Sequence, residues 1–170
     1  MKKTFSALFT GMLVSAAFST FAQQDTYAAN VNPVAFITNY PPRTELKASE
    51  VNSNALENFT RNNKAVSNVT WTSSGTVLSV YFEKDGIKSR STYDEKGKWE
   101  YTLRYLSAKQ APYRVREAID TYCPGKTIVQ VTEIKKTGSV YHLVKLEDAT
   151  SYLTVQVMNG EVDLVEKVTR

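Results

Sequence analysis

The stretch from Asn68 to Leu106, NVTWTSSGTVLSVYFEKDGIKSRSTYDEKGKWEYTLRYL, commits this chain to antiparallel β-structure before anything else is considered. Val77 to Glu83 is rich in β-branched and aromatic residues, which suit a pleated, half-buried surface. Asp85-Gly86 is a hairpin dipeptide, and Lys96-Gly97 supplies a second turn before the strand-like run from Lys98 to Leu106. Val69-Thr70-Trp71 adds a short strand ahead of them. These residues predict a twisted meander.

Side chains alternate along a strand, so parity sorts its faces. Leu78, Val80 and Phe82 share one face, and Ile87 shares a parity with Tyr93. Lys88, Arg90 and Thr92 take the other side of their strand. In the third strand Trp99, Tyr101, Leu103 and Tyr105 alternate with Lys98, Glu100, Thr102 and Arg104. Simple alternation therefore puts an apolar, aromatic side against the core. It leaves a polar side on which Tyr81 is the main aromatic.

Two helices flank this sheet. Ser49 reads as an N-cap with Glu50 in the first turn, and Val51, Ala55, Phe59 and Val66 recur at helical spacing, predicting a helix from about Glu50 to Lys64. Pro112 suits the first turn of a second helix, whose Val115, Ala118, Ile119 and Tyr122 follow the i, i+3, i+4, i+7 rule until Pro124-Gly125 stops it. Strand-like runs follow at Thr127–Lys135, Val140–Glu147, Ser151–Met158 and Val162–Val168, with Thr137-Gly138 and Asn159-Gly160 as turns. In the second of these runs Val140, Val144 and Leu146 compete with Tyr141 and Leu143 for the inner face. In the third, Leu153, Val155 and Val157 look inward while Tyr152, Thr154 and Gln156 look out.

The halves match one another. Phe59 to Trp99 and Tyr122 to Val162 span equal lengths, with Trp71 set against Val131, Tyr81 against Tyr141 and Gly97 against Gly160 within a few residues. The expectation is an α+β fold of tandem α-β4 repeats, 49–108 and 109–170, forming a curved antiparallel sheet with both helices on one face.

Ahead of that domain, Met1-Lys2-Lys3, the apolar run Leu8–Phe18 and the small residues of Ser19-Thr20-Phe21-Ala22 have the layout of a secretory signal peptide, 1–22, cleaved near Ala22. A short two-lysine start suits a bacterial exporter, so the expected location is periplasmic or secreted. Residues 23–48 carry Pro33, Pro41 and Pro42 and read as an extended lead-in in which Val34 to Ile37 could add an edge strand. The chain holds 21 Lys and Arg against 17 Asp and Glu, and removal of Lys2 and Lys3 leaves 19 against 17. So small and scattered an excess argues against nucleic acid as a partner, and no membrane span is expected after signal removal. Cys123 is the single cysteine, so stability must come from packing, and its place beside Tyr122 and Pro124 suggests a small buried hydrophobe.

Phe59, Val69-x-Trp71, Val80-Tyr81-Phe82, Tyr93-Asp94-x-x-Gly97-x-Trp99, the Pro112-led helix ending in Tyr122 and the Tyr141 strand together resemble the exported PepSY-like domains. These are grouped with the β-lactamase-inhibitor-protein-like fold. The resemblance covers roughly Glu50 to Val168 and implies tandem α-β units with a concave sheet face that, in inhibitor members, grips a target enzyme. The chain lacks the paired disulfides of the streptomycete inhibitors, and no inhibitor hot-spot residue carries over to it.

Nothing in the residues assembles an active site. His142 is the sole histidine and sits within a strand, where it is expected to point outward, and with Cys123 it makes neither a dyad by spacing nor a tetrahedral metal site. Asp94, Glu95, Glu147 and Asp148 fall in turns, where carboxylates serve turn geometry. No cofactor is expected. The reading is a non-enzymatic exported module that docks or inhibits an extracytoplasmic protein through the sheet face opposite the helices, at Tyr81, Lys88, Arg90, Thr102, Arg104, Tyr152 and Gln156. The alternative is a small-ligand carrier or sensor in the periplasm, with its cleft between the two halves.

Overall fold

A computed structural model describes residues 43–170. The expected signal peptide, most of the lead-in and the suggested edge strand at Val34–Ile37 lie outside those residues. Among the described residues nine strands form one antiparallel sheet in which each strand pairs with its sequence neighbours. They are β1 (Thr44–Leu46), β2 (Ser67–Ser74), β3 (Val77–Lys84), β4 (Ile87–Tyr93), β5 (Trp99–Leu106), β6 (Thr127–Lys136), β7 (Ser139–Glu147), β8 (Ser151–Met158) and β9 (Glu161–Thr169). Helix α1 (Ser53–Asn62) precedes β2, and helix α2 (Tyr113–Tyr122) joins β5 to β6. A helix and four strands are thus followed by a helix and four strands, with β1 ahead of the first set.

An edge strand does exist, but in Thr44–Leu46, inside the segment read as loosely extended. The start of α1 also differs from expectation. Ala48–Glu50 forms a separate 3-10 turn, and Asn52, not Ser49, caps the helix, its side-chain oxygen accepting from the Asn54 and Ala55 backbone N–H groups. Glu50 instead accepts from the Lys47 N–H at 2.7 Å, which closes the preceding turn. In α2 Pro112 stands at the N-cap, one residue earlier than expected.

Residues opposite one another in an antiparallel ladder project from the same face, so register shows which side the helices cover. Trp71, Val80 and Ser91 are opposed in turn, and Ala55 and Phe59 of α1 pack with Trp71, Val80, Phe82 and Tyr93. The Phe59 ring stands edge-on to Trp71 and Phe82, with centroids 5.6 and 5.1 Å away. Farther along the same face, Leu106, Val131, Val144 and Val155 are opposed in turn beneath Val115, Ala118 and Ile119 of α2. Both helices therefore lie on one side of the sheet. Tyr122 departs from the expected stripe: it is 61% exposed, and Ala111 at the mouth of the helix is buried in its stead. Cys123 is a half-buried free thiol packed against the α2 cluster.

Between the two apolar clusters the same face carries a polar seam. Ser91 and Thr102 hydroxyls lie 2.7 Å apart, and the Trp99 indole N–H donates to Thr102 Oγ1 at 3.0 Å. Arg104 donates to Glu133 at 2.8 Å, while His142 Nε2 sits 3.5 Å from the other Glu133 oxygen, long for a hydrogen bond. His142 thus does not point out to solvent as expected; its side chain is 14% exposed and it shares the helix side with Val144 and Leu146. The nearby His142 and the Arg104 hydrogen bond outweigh the cost of burial and hold the Glu133 carboxyl down at about 2.

The turn joining β4 to β5 is fastened to α1. Asp94 Oδ1 accepts from the Lys96 and Lys98 N–H groups, shaping a loop in which Gly97 adopts φ +77°. Asn52 and Asn54 side-chain amides then donate to the Glu95 and Lys96 carbonyls at 3.2 and 3.1 Å. The Asp94-x-x-Gly97 element is therefore the seat of the first helix as well as a turn. Across the molecule, Asp148 organises the β7–β8 turn: it accepts from Thr150 and Ser151 backbone N–H groups and pairs with Lys126, contacts that hold its carboxyl well below the usual range.

Candidate functional site

The sheet face away from the helices is assembled by two rows that cross the strands. Thr70, Tyr81, Arg90, Leu103, Ile134 and Tyr141 oppose one another in sequence from β2 to β7. Beside that row run Thr72, Ser79, Thr92, Tyr101, Lys136 and Ser139. Tyr105, opposite Thr132 and then Leu143, projects from the same side.

This overturns the expected parity of β5. Thr102 and Arg104 point to the helix side, into the polar seam, and Tyr101, Leu103 and Tyr105 stand on the opposite face. The cause is a bulge. Tyr93 opposes Trp99 while Thr92 opposes Tyr101, so one extra residue on β5 shifts the alternation and flips every side chain after it. Trp99 keeps its place against the α1 cluster, whereas its apparent companions cross to the other side.

Arg90 is also unlike its expected form. It is on the predicted face, yet it is only 6% exposed, and Thr92 and Leu103 beside it are each 2% exposed. Burial opposes the guanidinium charge, but Tyr105, Tyr101 and Tyr81 favour it more strongly, Tyr81 through a hydrogen bond, and its pKa is raised. Burial pushes the Tyr105 hydroxyl up as well, with Arg90 pulling the other way. No carboxylate among the described residues pairs with Arg90. Its Nε and the Thr92 hydroxyl are buried with no hydrogen-bond partner among those residues.

Of the other expected face residues, Lys88 and Tyr152 are exposed and Gln156 is half-buried, all on the side away from the helices by register. They are dispersed. Tyr152 lies far across the sheet on β8, where the Arg170 guanidinium stacks 4.5 Å above its ring and donates to its hydroxyl at 2.9 Å. Tyr81, Lys88 and Arg90 fall together on β3 and β4. Tyr101 and Tyr105, which alternation placed on the wrong side, flank Arg90 together with Tyr81, and Tyr141, left unassigned, stands three strands farther along the same face.

Charge on this face is uneven. It presents Lys88, Arg90, Lys136 and Lys145 together with Glu83, directly opposite Lys88, and Glu147 at the far end, which Arg170 engages at 2.9 Å. Lys136 Nζ lies 5.9 Å from the Tyr101 ring centroid. Surface depressions of about 310 Å³ beside Asp94–Lys96 and about 540 Å³ beside Ser53–Arg61 lie elsewhere, away from the two rows. Among the described residues there is no cluster of three or more His, Cys, Asp or Glu that could hold a metal ion, and no helix is long and apolar enough to cross a membrane.

The described residues, an antiparallel sheet with two helices on one face, share their fold with solved structures of BLIP-like and DUF2874 family proteins. In particular, the chain superimposes on a BLIP-like protein from Bacteroides fragilis with a TM-score of 0.58 at 14% identity, covering 68% of this chain and 84% of that one. DUF2874 family proteins from Bacteroides ovatus and Bacteroides uniformis match with TM-scores of 0.58 at 15% and 11% identity. These matches cover 69% and 70% of this chain and 86% and 89% of theirs. At such identities the likeness is one of fold. No family model and no curated protein matches the chain.

Proposed function

We propose that this protein is an exported, non-enzymatic binding module that docks an extracytoplasmic protein through the sheet face opposite its helices and restrains it. The observation that carries this reading is the composition of that face. Tyr81, Tyr101 and Tyr105 stand around a buried arginine, with Tyr141 three strands farther along the same row, and tyrosine and arginine are the residues that dominate protein-binding hot spots. Catalysis would need a nucleophile beside a base, or paired carboxylates in a cleft, and the polar groups of the two rows are phenols, serine and threonine hydroxyls, one lysine and one guanidinium.

Export rests on the N-terminal sequence, whose basic start, apolar run and small-residue end are those of a signal peptide directing the chain to the periplasm or beyond. The helix-plus-four-strand order occurring twice supports an origin in duplication of one α-β4 unit within a PepSY-like domain. Crosslinking in the native envelope tests the docking reading. A photo-reactive residue at Tyr141 should capture a defined protein, whereas one at Tyr113 on the outer side of α2 should not. Equal capture from both positions, or from neither, would remove the reading.

A further inference from the structure

The sheet face away from the helices is not equally open along its width. Towards β9, Tyr152, Met158 and Val168 are exposed, as side chains with only solvent above them should be. Across β5 and β6, Leu103 and Ile134 are 2% and 1% exposed, and on β4 the Arg90 Nε and Thr92 hydroxyl are sealed from solvent, although both described helices lie on the other side. The phenols of Tyr81, Tyr101 and Tyr105 are not an outermost layer, since each residue is itself half-buried. We infer that Val34, Ala35, Phe36 and Ile37 of the lead-in cover this half of the face from within the chain, and that a docking partner must displace them. The cover stands by itself; the displacement rests on the docking reading and adds regulation to it.

Position, reach and composition select this occupant. Leu103 and Ile134 are buried within a single chain, which sets a second copy aside, and an apolar pair on a sheet face is shielded best by apolar side chains. Arg43, the first described residue, brings its charge towards the middle of the face: burial pushes the Tyr105 hydroxyl up, and Arg90 and Arg43 both pull it back. A charge felt there lies within about one screening length, ~10 Å, although Arg43 adjoins β1 at the edge of the sheet. The side chain therefore leans in over the face. Ile37 is six residues ahead of Arg43, up to ~20 Å of extended chain, and β5 stands four strand spacings from β1, ~19 Å. From Gln23 to Pro42 the single charged residue is Asp25, so the segment brings little charge to bury, and Pro33, Pro41 and Pro42 have no N–H to leave unsatisfied.

The test uses the full exported chain with carbon-13-labelled methyl groups and a soluble nitroxide, which relaxes the methyls it can reach. Leu103 and Ile134 should be relaxed at least about fivefold less than the exposed Leu164. In Phe36→Asp both should become at least about threefold more accessible, with Ile119 under α2 unchanged as the control for folding, and Phe36→Leu should behave as the wild type. Protection that persists in Phe36→Asp would show that the phenols cover these residues unaided, and protection that fades on dilution would show a second copy; either overturns the inference. Methyls already open in the wild type would overturn it as well. Phe36→Asp should also raise partner capture by a photo-reactive residue at Tyr141 about threefold. Unchanged or reduced capture alongside opened methyls would overturn the displacement. Capture by neither chain, with the methyls responding as expected, would remove the docking reading and uphold the cover.

Discussion

A Cβ placed on Gly97 would lie 2.4 Å from the Asn52 side-chain oxygen, so the β4–β5 turn and the cap of α1 occupy space that only glycine leaves open. Gly97 also adopts φ +77°, which adds backbone strain for any other residue. The contact joins a turn signal and a capping residue that are 45 positions apart in the sequence numbering. Gly97→Ala should therefore cost about 2–4 kcal/mol, well beyond a turn glycine in open space such as Gly138, where a Cβ would meet nothing within 4 Å. Urea unfolding of the two variants measures the difference. Similar midpoints would contradict the seating of α1 on this turn.

Phe59 ties α1 to the sheet through its edge contacts with Trp71 and Phe82. Phe59→Ala should lower stability by about 3–5 kcal/mol, since it opens a cavity at the largest apolar side chain that joins this helix to the strands below it. A loss under about 1 kcal/mol in chemical denaturation would show that α1 contributes little to the fold.

Glu133 links stability to pH. Its carboxyl sits near 2 in the folded chain, below the 4.5 of an unperturbed glutamate. A folded-state value below the unfolded one means that the contribution is complete above about pH 4.5 and is lost as pH falls towards 2. The full shift would correspond to about 3 kcal/mol; because the His142 contact is long, about 2 kcal/mol is the expected size. Glu133→Gln should flatten this part of the stability-against-pH curve while leaving fluorescence at pH 7 unchanged. An identical acid limb in the variant would contradict the polar seam.

Arg90 offers a separation of stability from binding. Replacing a buried charge that has a Tyr81 hydrogen bond but no carboxylate among the described residues beside it with an apolar group of similar length should leave stability unchanged or raise it by up to about 2 kcal/mol. Arg90→Met should therefore unfold no more easily than the wild type, while losing partner capture. A large destabilisation would mean that the guanidinium holds the tyrosines together as part of the fold.

Much of this architecture is written in the chain. Asp85-Gly86, Thr137-Gly138 and Asn159-Gly160 mark hairpins that the sheet contains, and the paired strands on either side extend close to the predicted limits. The two helices follow the apolar spacing of Ala55 and Phe59, and of Val115, Ala118 and Ile119. What alternation could not convey was the bulge between β4 and β5. Trp99, Tyr101, Leu103 and Tyr105 keep perfect period-two spacing in the sequence, yet the extra residue places Trp99 on one side and the other three on the other. Pairing partners, not the strand's own pattern, decide that. The same blindness set Thr102 and Arg104 on the docking face when they belong to the seam with Glu133. The early cap at Ser49 failed for a local reason: Glu50 reaches back to the Lys47 N–H, and the chain completes a 3-10 turn before Asn52 opens the helix.

The most direct test of recognition through the tyrosine-lined face is quantitative crosslinking capture from envelope extract, comparing Tyr81→Ser with Tyr141→Ser against Arg114→Ser on the exposed side of α2. The double variant should lose the captured protein at least tenfold with its melting transition retained, and Arg114→Ser should capture as the wild type does. Undiminished capture by the folded double variant would contradict the account.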